Sequence, residues 1–184
     1  MIESLLEKEK AVSKFIDTHA RSFSIDPDLV RALISQECAF NGKAVSPTGA
    51  VGWGQFTNIG AEQVRLITGM TDKAKGLEGF QKEDATDPDK GIKAICAFLW
   101  WLFFVRHKNV VDNRVRLEAS LTFYNSGGKA ANLVITLGGF SNALGKIKDL
   151  PPKYKSQADV YAPGVIKYNE EWKKNSLKKA EAAV

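Results

Sequence analysis

Apolar residues recur at helical spacing along most of the chain, and alternation with a period of two is not sustained anywhere. Leu5, Leu6, Val12, Phe15, Ile16 and His19 share one face of a helix predicted over residues 3–20. His19 on that face reads as a packing histidine. Asp26-Pro27 supplies an N-cap and a first-turn proline for a second helix, and Asn41-Gly42 is its expected stop. Residues 43–56, KAVSPTGAVGWGQF, follow neither period and read as an ordered loop. A helix begins at 59–68. Residues 69–90, rich in Asp, Lys and Gly, form a surface connection with a short helix inside it. The most apolar run, IKAICAFLWWLFFV at 92–105, lies within a helix predicted over 91–107. At about fourteen residues it is shorter than the roughly twenty that span a bilayer, so it is read as a buried central helix. Further helices are expected at 114–124, at 128–137 up to the Gly138-Gly139 break, and from about 155 to 176 after a break at Leu150-Pro151-Pro152. The basic tail is expected to fray. The fold class is therefore mainly α, with about seven or eight helices around one apolar helix and little or no sheet.

One position breaks the pattern. Val30, Leu33, Ile34 and Cys38 make an apolar stripe, and Glu37 falls inside it. A carboxylate on a core-facing stripe is costly unless it is protonated, paired or needed. Desolvation raises its pKa, which is how a Glu becomes a general acid near neutral pH. The plainer reading is a Glu at the stripe's edge, bonded to a backbone group or an Arg. The loop that follows has no Asp or Glu between Asn41 and Gly60. It offers Ser46, Gly49, Gly52, Gly54 and Gln55, suited to close backbone approach and to a neutral polar ligand.

Composition narrows the class. The 184 residues suit a single domain (1–184), with motifs over about 20–170 and a basic tail at 173–184. Hydrophobic content of 44% and charged content of 26% are ordinary for a globular chain. Net charge +5 and pI near 9.1 favour polyanionic company. Cys38 and Cys96 sit in apolar helical contexts and are expected as free thiols. Two His and two Cys, far apart, give no zinc-type spacing, so neither metal nor cofactor is expected. MIESLLEKEK is not a secretory leader. A chain without one is expected to be kept in the cytoplasm where it is made, to be exported by another route, or to be carried in a particle.

Three segments together carry a family resemblance: Glu37 on its helix, SPTGAVGWGQF at 46–56, and ASLTFYNSG at 119–127. They resemble the soluble lytic transglycosylases, relatives of goose-type lysozyme. Tyr161-Ala162-Pro163-Gly164-Val165 is a looser fourth match. The resemblance implies a lysozyme-like helical fold. It also implies cleavage of the β-1,4 bond between N-acetylmuramic acid and N-acetylglucosamine. One carboxyl group, Glu37, would act as acid and then base, with the substrate's acetamido group assisting and a 1,6-anhydro ring as product. This departs from the usual pair of carboxylates. Substrate-binding roles fall to Cys38, Ser46, Gln55, Tyr124, Asn125 and Tyr161. A core role for Tyr124 and a capping role for Asn125 are the alternatives. Three positions depart from the family pattern: Cys38 replaces a Ser, Trp53-Gly54 replaces Leu-Met, and Gln157 replaces a Glu. Trp53 would either stack on sugar or fill the gap above the loop.

Peptidoglycan glycan strands are the expected partner, with weak contact to an anionic envelope and no nucleic acid. A phage-borne enzyme is expected, as a virion component or as an endolysin held in host cytoplasm before release with a holin, ahead of a bacterial enzyme that has lost its leader. The expected state is a monomer or part of a virion assembly. A hydrolytic muramidase of the same fold is the nearest competing function. A non-catalytic basic binding module, motivated by Lys173, Lys174, Lys178 and Lys179, is the more distant one.

Overall fold

The computed structural model describes residues 2–150 and 160–182. The Pro151-Pro152 break and Gln157 lie outside the described residues. The chain divides into two compact units, Met1–Trp100 with Ile166–Val184, and Trp101–Val165. No strand occurs among the described residues. Two isolated bridges, Val45 to Val51 and Val51 to Phe56, are the only extended pairing described.

The first unit opens with α1 (Glu3–Lys10) and α2 (Ser13–Phe23), two helices where the periodicity predicts one. The break at Ala11-Val12 has no glycine or proline to mark it. Its consequence is that Glu9 and Val12 both turn inward. Glu9 is buried because its carboxylate meets Arg31 Nε at 2.7 Å, a partner 22 residues away. On α2, His19 Nε2 pairs with Asp89 Oδ1 at 2.7 Å, so the histidine is satisfied, as expected.

α3 (Pro27–Cys38) starts as the sequence indicates. Pro27 occupies the first turn, and the Asp26 side chain accepts from Asp28 N at 2.9 Å. Val30, Leu33 and Ile34 are fully buried. The helix stops earlier than Asn41-Gly42, because Ala39 and Phe40 adopt left-handed conformations, with φ of 48° and 58°.

α4 (Asn58–Thr68) is capped by Thr57, and two 3₁₀ turns at Asp72–Ala74 and Lys82–Thr86 fill the connection beyond it. α5 (Pro88–Trp101) is the apolar helix. Ile92, Ala94, Ile95, Cys96, Ala97 and Leu99 are fully buried, so it is enclosed on nearly every face. It ends at Trp101, six residues before the sequence-based boundary at 107, and passes into a π-helical turn at Leu102–Arg106. No helix among the described residues is long and apolar enough to cross a membrane.

The second unit holds α6 (Asn113–Ser126), α7 (Gly128–Thr136) and α8 (Phe140–Lys148). The sequence reading named no helix at 140–148. Its N-terminus is satisfied from a distance: Glu118 Oε2 accepts from Phe140 N at 2.7 Å. The other oxygen of Glu118 takes Arg114 Nε at 3.0 Å, so this buried carboxylate is fully committed to joining α6 to α8. α9 (Tyr161–Glu181) closes the chain. It remains helical through the basic segment that was expected to fray.

Candidate active site

Glu37 sits on the last turn of α3, half-buried, with Ile34 behind it and Cys38 beside it. The carboxylate is thus neither enclosed nor freely solvated. The exit from this turn is strained. Two consecutive non-glycine residues in the left-handed region cost about 1–2 kcal/mol each, and such strain persists only where surrounding structure imposes it. Here Phe40 is buried and its ring meets Trp172 edge to face, with centroids 5.8 Å apart at 61°. Trp172, fully buried on α9, donates from its indole nitrogen to Ser35 Oγ at 3.0 Å. Ser35 in turn donates to Arg31 O at 2.8 Å.

The loop after α3 is built from its own hydrogen bonds. Ser46 N donates to Ala50 O at 2.8 Å and Gly52 N to Ala44 O at 2.9 Å, while Val51 and Phe56 exchange bonds at 3.0 and 2.9 Å. The Ser46 hydroxyl accepts from Ala50 N at 3.0 Å and lies 3.0 Å from Thr48 Oγ1. Gln55 is left-handed (φ 47°), and its amide nitrogen donates to Ala44 O at 3.1 Å and to Gly52 O at 3.0 Å. Both donors of Gln55 therefore serve the loop, which leaves its oxygen as the group that can face a ligand. Phe56 anchors the loop's end against Phe80 and Phe98.

Trp53 joins the loop to the 3₁₀ turn at Lys82–Thr86. Its backbone nitrogen donates to Ala85 O at 3.0 Å and its indole nitrogen to Thr86 O at 3.1 Å. A side chain at Gly42 would collide with the Trp53 ring, and one at Gly52 (φ 80°) with the Ala85 carbonyl. Of the two roles open to Trp53, the buried ring fills the gap and does not present a stacking face. Cys38 joins α3 to the same residue, with its Sγ 3.6 Å from both Ile34 O and Trp53 O. Burial pushes its thiol up to about 12. The expectation that Cys38 replaces a substrate-binding hydroxyl meets a buried thiol already bonded within the protein, whose evident work is to hold helix and loop together. Cys96 is likewise free and buried.

Residues 62–90, which follow the loop, carry the nearest carboxylates in sequence that could serve as a second acid. Backbone donation from Gly76 holds Glu78 below its ordinary range. Donation from Gln81 N, with Lys90 alongside, does the same for Asp84. Asp87 accepts from Lys90 N and Asp89 pairs with His19. Glu62, Asp72 and Glu83 are exposed. Glu78 and Asp84 are thus held in the ionised form, which suits a structural role better than proton donation.

A cavity of about 490 Å³ in the first unit is bordered by Glu9, Asp17, Asp28, Arg31 and Asn175, and by neither Glu37 nor the loop. Arg31 contacts all three of those carboxylates, at 2.7, 2.7 and 3.3 Å, so the cavity flanks a structural charge network.

Tyr124 and Asn125 belong to the second unit, on the last turn of α6. Tyr124 is half-buried and Asn125 exposed, and Asn125 Oδ1 accepts from Ser126 Oγ at 2.9 Å. The neighbouring Phe123 is held by Trp101 (5.4 Å, 75°), His107 (6.0 Å) and Arg106 (5.8 Å), which fixes this turn. Tyr161, also in the second unit, is buried with 2% exposure and reads as a packing residue more than as an open wall. Sequence reasoning missed Ser35, Phe40 and Trp172. The available signal was the apolar spacing of Tyr161, Val165 and Trp172 along an otherwise charged helix.

The model of the transglycosylase SLT domain family matches residues 14–138, about two thirds of the chain. The chain belongs to this family. It is also similar to the membrane-bound lytic murein transglycosylase F of Pasteurella multocida (strain Pm70), at 31% identity over 132 residues. That match takes in 69% of the chain but only 23% of the relative, so the chain spans less than a quarter of that protein's length. The matched SLT segment contains Glu37, the glycine-containing loop and the Tyr124-Asn125 turn, and ends at Gly138.

Proposed function

We propose that this SLT-domain protein is a peptidoglycan lytic transglycosylase in which Glu37 is the single acid and base. The observation that carries the reading is the placement of Glu37: a half-buried carboxylate on the last turn of α3, beside a loop that brings no second acid. Membership of the SLT family supports it independently. In the first step Glu37 protonates the glycosidic oxygen while the substrate's acetamido oxygen supports the positive charge at the anomeric carbon. In the second, the Glu37 carboxylate takes the proton of the sugar's 6-hydroxyl, and that oxygen closes the 1,6-anhydro ring. The proton given in the first step is regained in the second, so the enzyme returns to its starting state without water.

Gln55 Oε1 is the loop group proposed to meet the sugar. Tyr124 and Asn125 carry the substrate roles the family resemblance assigns: hydrogen bonding to the reacting sugar, and holding the acetamido group. Action at the cell wall is part of the proposal, and the net charge of +5 favours approach to an anionic envelope.

The test is mass spectrometry of purified sacculi digested with the protein. Anhydro-muramyl ends, lighter by one water than reducing ends, are expected. Reducing ends in their place would reassign the protein as a hydrolytic muramidase of the same fold. Absence of any cleavage product, with sacculi bound, would leave only a binding module.

A further inference from the structure

α3 ends one residue after Glu37, and the last turn of a helix is where backbone hydrogen bonds run out and ends fray. This turn is instead held from outside, on the loop side by the Cys38 contact with Trp53 O and on the other by one side chain of α9. Trp172 bonds Ser35, two residues before Glu37, and packs on Phe40, three residues after it. The bond spans 137 residues of sequence. Neither contact is required for α3 to be helical, since its first turns are fixed by Asp26 and Pro27. α9 also grips the start of α3, with Lys173 Nζ 3.1 Å from Asp26 Oδ2 and Ser176 Oγ donating to Asp28 Oδ1 at 2.9 Å. The helix start is thus secured by two polar contacts, and Trp172 is spent wholly on the end that carries the acid.

The geometry points to Trp172 as a positioning residue for the Glu37 carboxyl. It acts through Ser35 and through the left-handed pair Ala39-Phe40, and it does not touch substrate. A general acid must sit within hydrogen-bond reach of the oxygen it protonates, and a small displacement costs rate far more than it costs binding. Loss of the indole bond lets the last turn of α3 shift while the rest of the first unit stays packed. The inference rests on the reading of Glu37 as the acid.

The test compares wild type, Trp172→Phe and Ser35→Ala on soluble glycan oligomers from peptidoglycan, with Glu37→Gln in parallel. Trp172→Phe keeps an aromatic ring against Phe40 but removes the indole donor and part of the buried ring volume, whereas Ser35→Ala removes the acceptor and leaves the ring in place. Roughly a tenfold or greater fall in kcat with KM unchanged is expected for Trp172→Phe. Ser35→Ala should fall in the same direction, and the double variant should lose less than the two single losses combined, because the Trp172–Ser35 bond is common to both. If Trp172→Phe does not fold, Ser35→Ala carries the same comparison. Wild-type kcat in the folded variant, or a loss confined to KM, overturns the inference while an inactive Glu37→Gln leaves the acid assignment standing. An active Glu37→Gln overturns the assignment itself, whatever Trp172 does.

Discussion

At the scale of single residues, the chemistry depends on which polar groups are already used. Gln55 gives both amide hydrogens to Ala44 O and Gly52 O. Gln55→Glu would set a carboxylate against two carbonyl oxygens and remove both donors. The expected outcome is a loss of about 2–3 kcal/mol of stability, read as a lower midpoint in urea unfolding. An unchanged midpoint would mean that the loop does not depend on these bonds. The half-buried place of Glu37 was legible at this scale because the anomaly is local: the nine residues Val30–Cys38 suffice to show a charge on an apolar stripe. Trp172 was not, since nothing near it names Ser35 or Phe40 as partners.

At the scale of elements, what joins them explains where periodicity succeeded and failed. The start of α3 and the Gly138-Gly139 break were readable from caps and glycines that act within a turn. The α1–α2 break and the start of α8 were not, because Glu9–Arg31 and Glu118–Phe140 N are long-range contacts. The loop itself has one backbone requirement that can be tested. Gly52 has φ 80° with the Ala85 carbonyl where a Cβ would sit. Gly52→Ala should cost on the order of 2 kcal/mol or more and should release the Trp53 contacts, seen as a change in tryptophan fluorescence.

The second unit has its own pH-sensitive element. His107, after the π-helical turn, is 2% exposed, with Nδ1 3.0 Å from Ser120 Oγ and no hydrogen-bond partner for Nε2 among the described residues. Burial, with Arg106 adding to it, lowers its pKa from 6.5 to about 4. The unfolded chain therefore takes up a proton before the folded one does. The stability that neutral His107 contributes is full above about pH 6.5 and is lost as pH falls towards and through about 4. The upper bound on that loss is roughly 3 kcal/mol. Unfolding free energies of wild type and His107→Gln should converge across this window, and parallel curves would contradict the assignment.

At the scale of the whole molecule, net charge and the proposed single acid set the expected behaviour. Net charge +5 on an anionic polymer substrate predicts that raising salt from low ionic strength to about 0.15 M weakens binding to sacculi. In cosedimentation the bound fraction should fall, whereas turnover at saturating substrate should stay constant. Binding that ignores salt would show that charge plays no part in recognition.

The central claim is that one half-buried carboxyl, Glu37, performs both proton transfers. The most direct measurement is the rate of sacculus solubilisation by Glu37→Gln and by wild type, at equal concentration, after matched unfolding curves show both are folded. Glutamine keeps the shape and removes the proton. The account predicts a loss of at least about 10²-fold, towards the upper end of what a general acid–base group supplies. A Glu37→Gln protein that solubilises sacculi within a few-fold of the wild-type rate would contradict it.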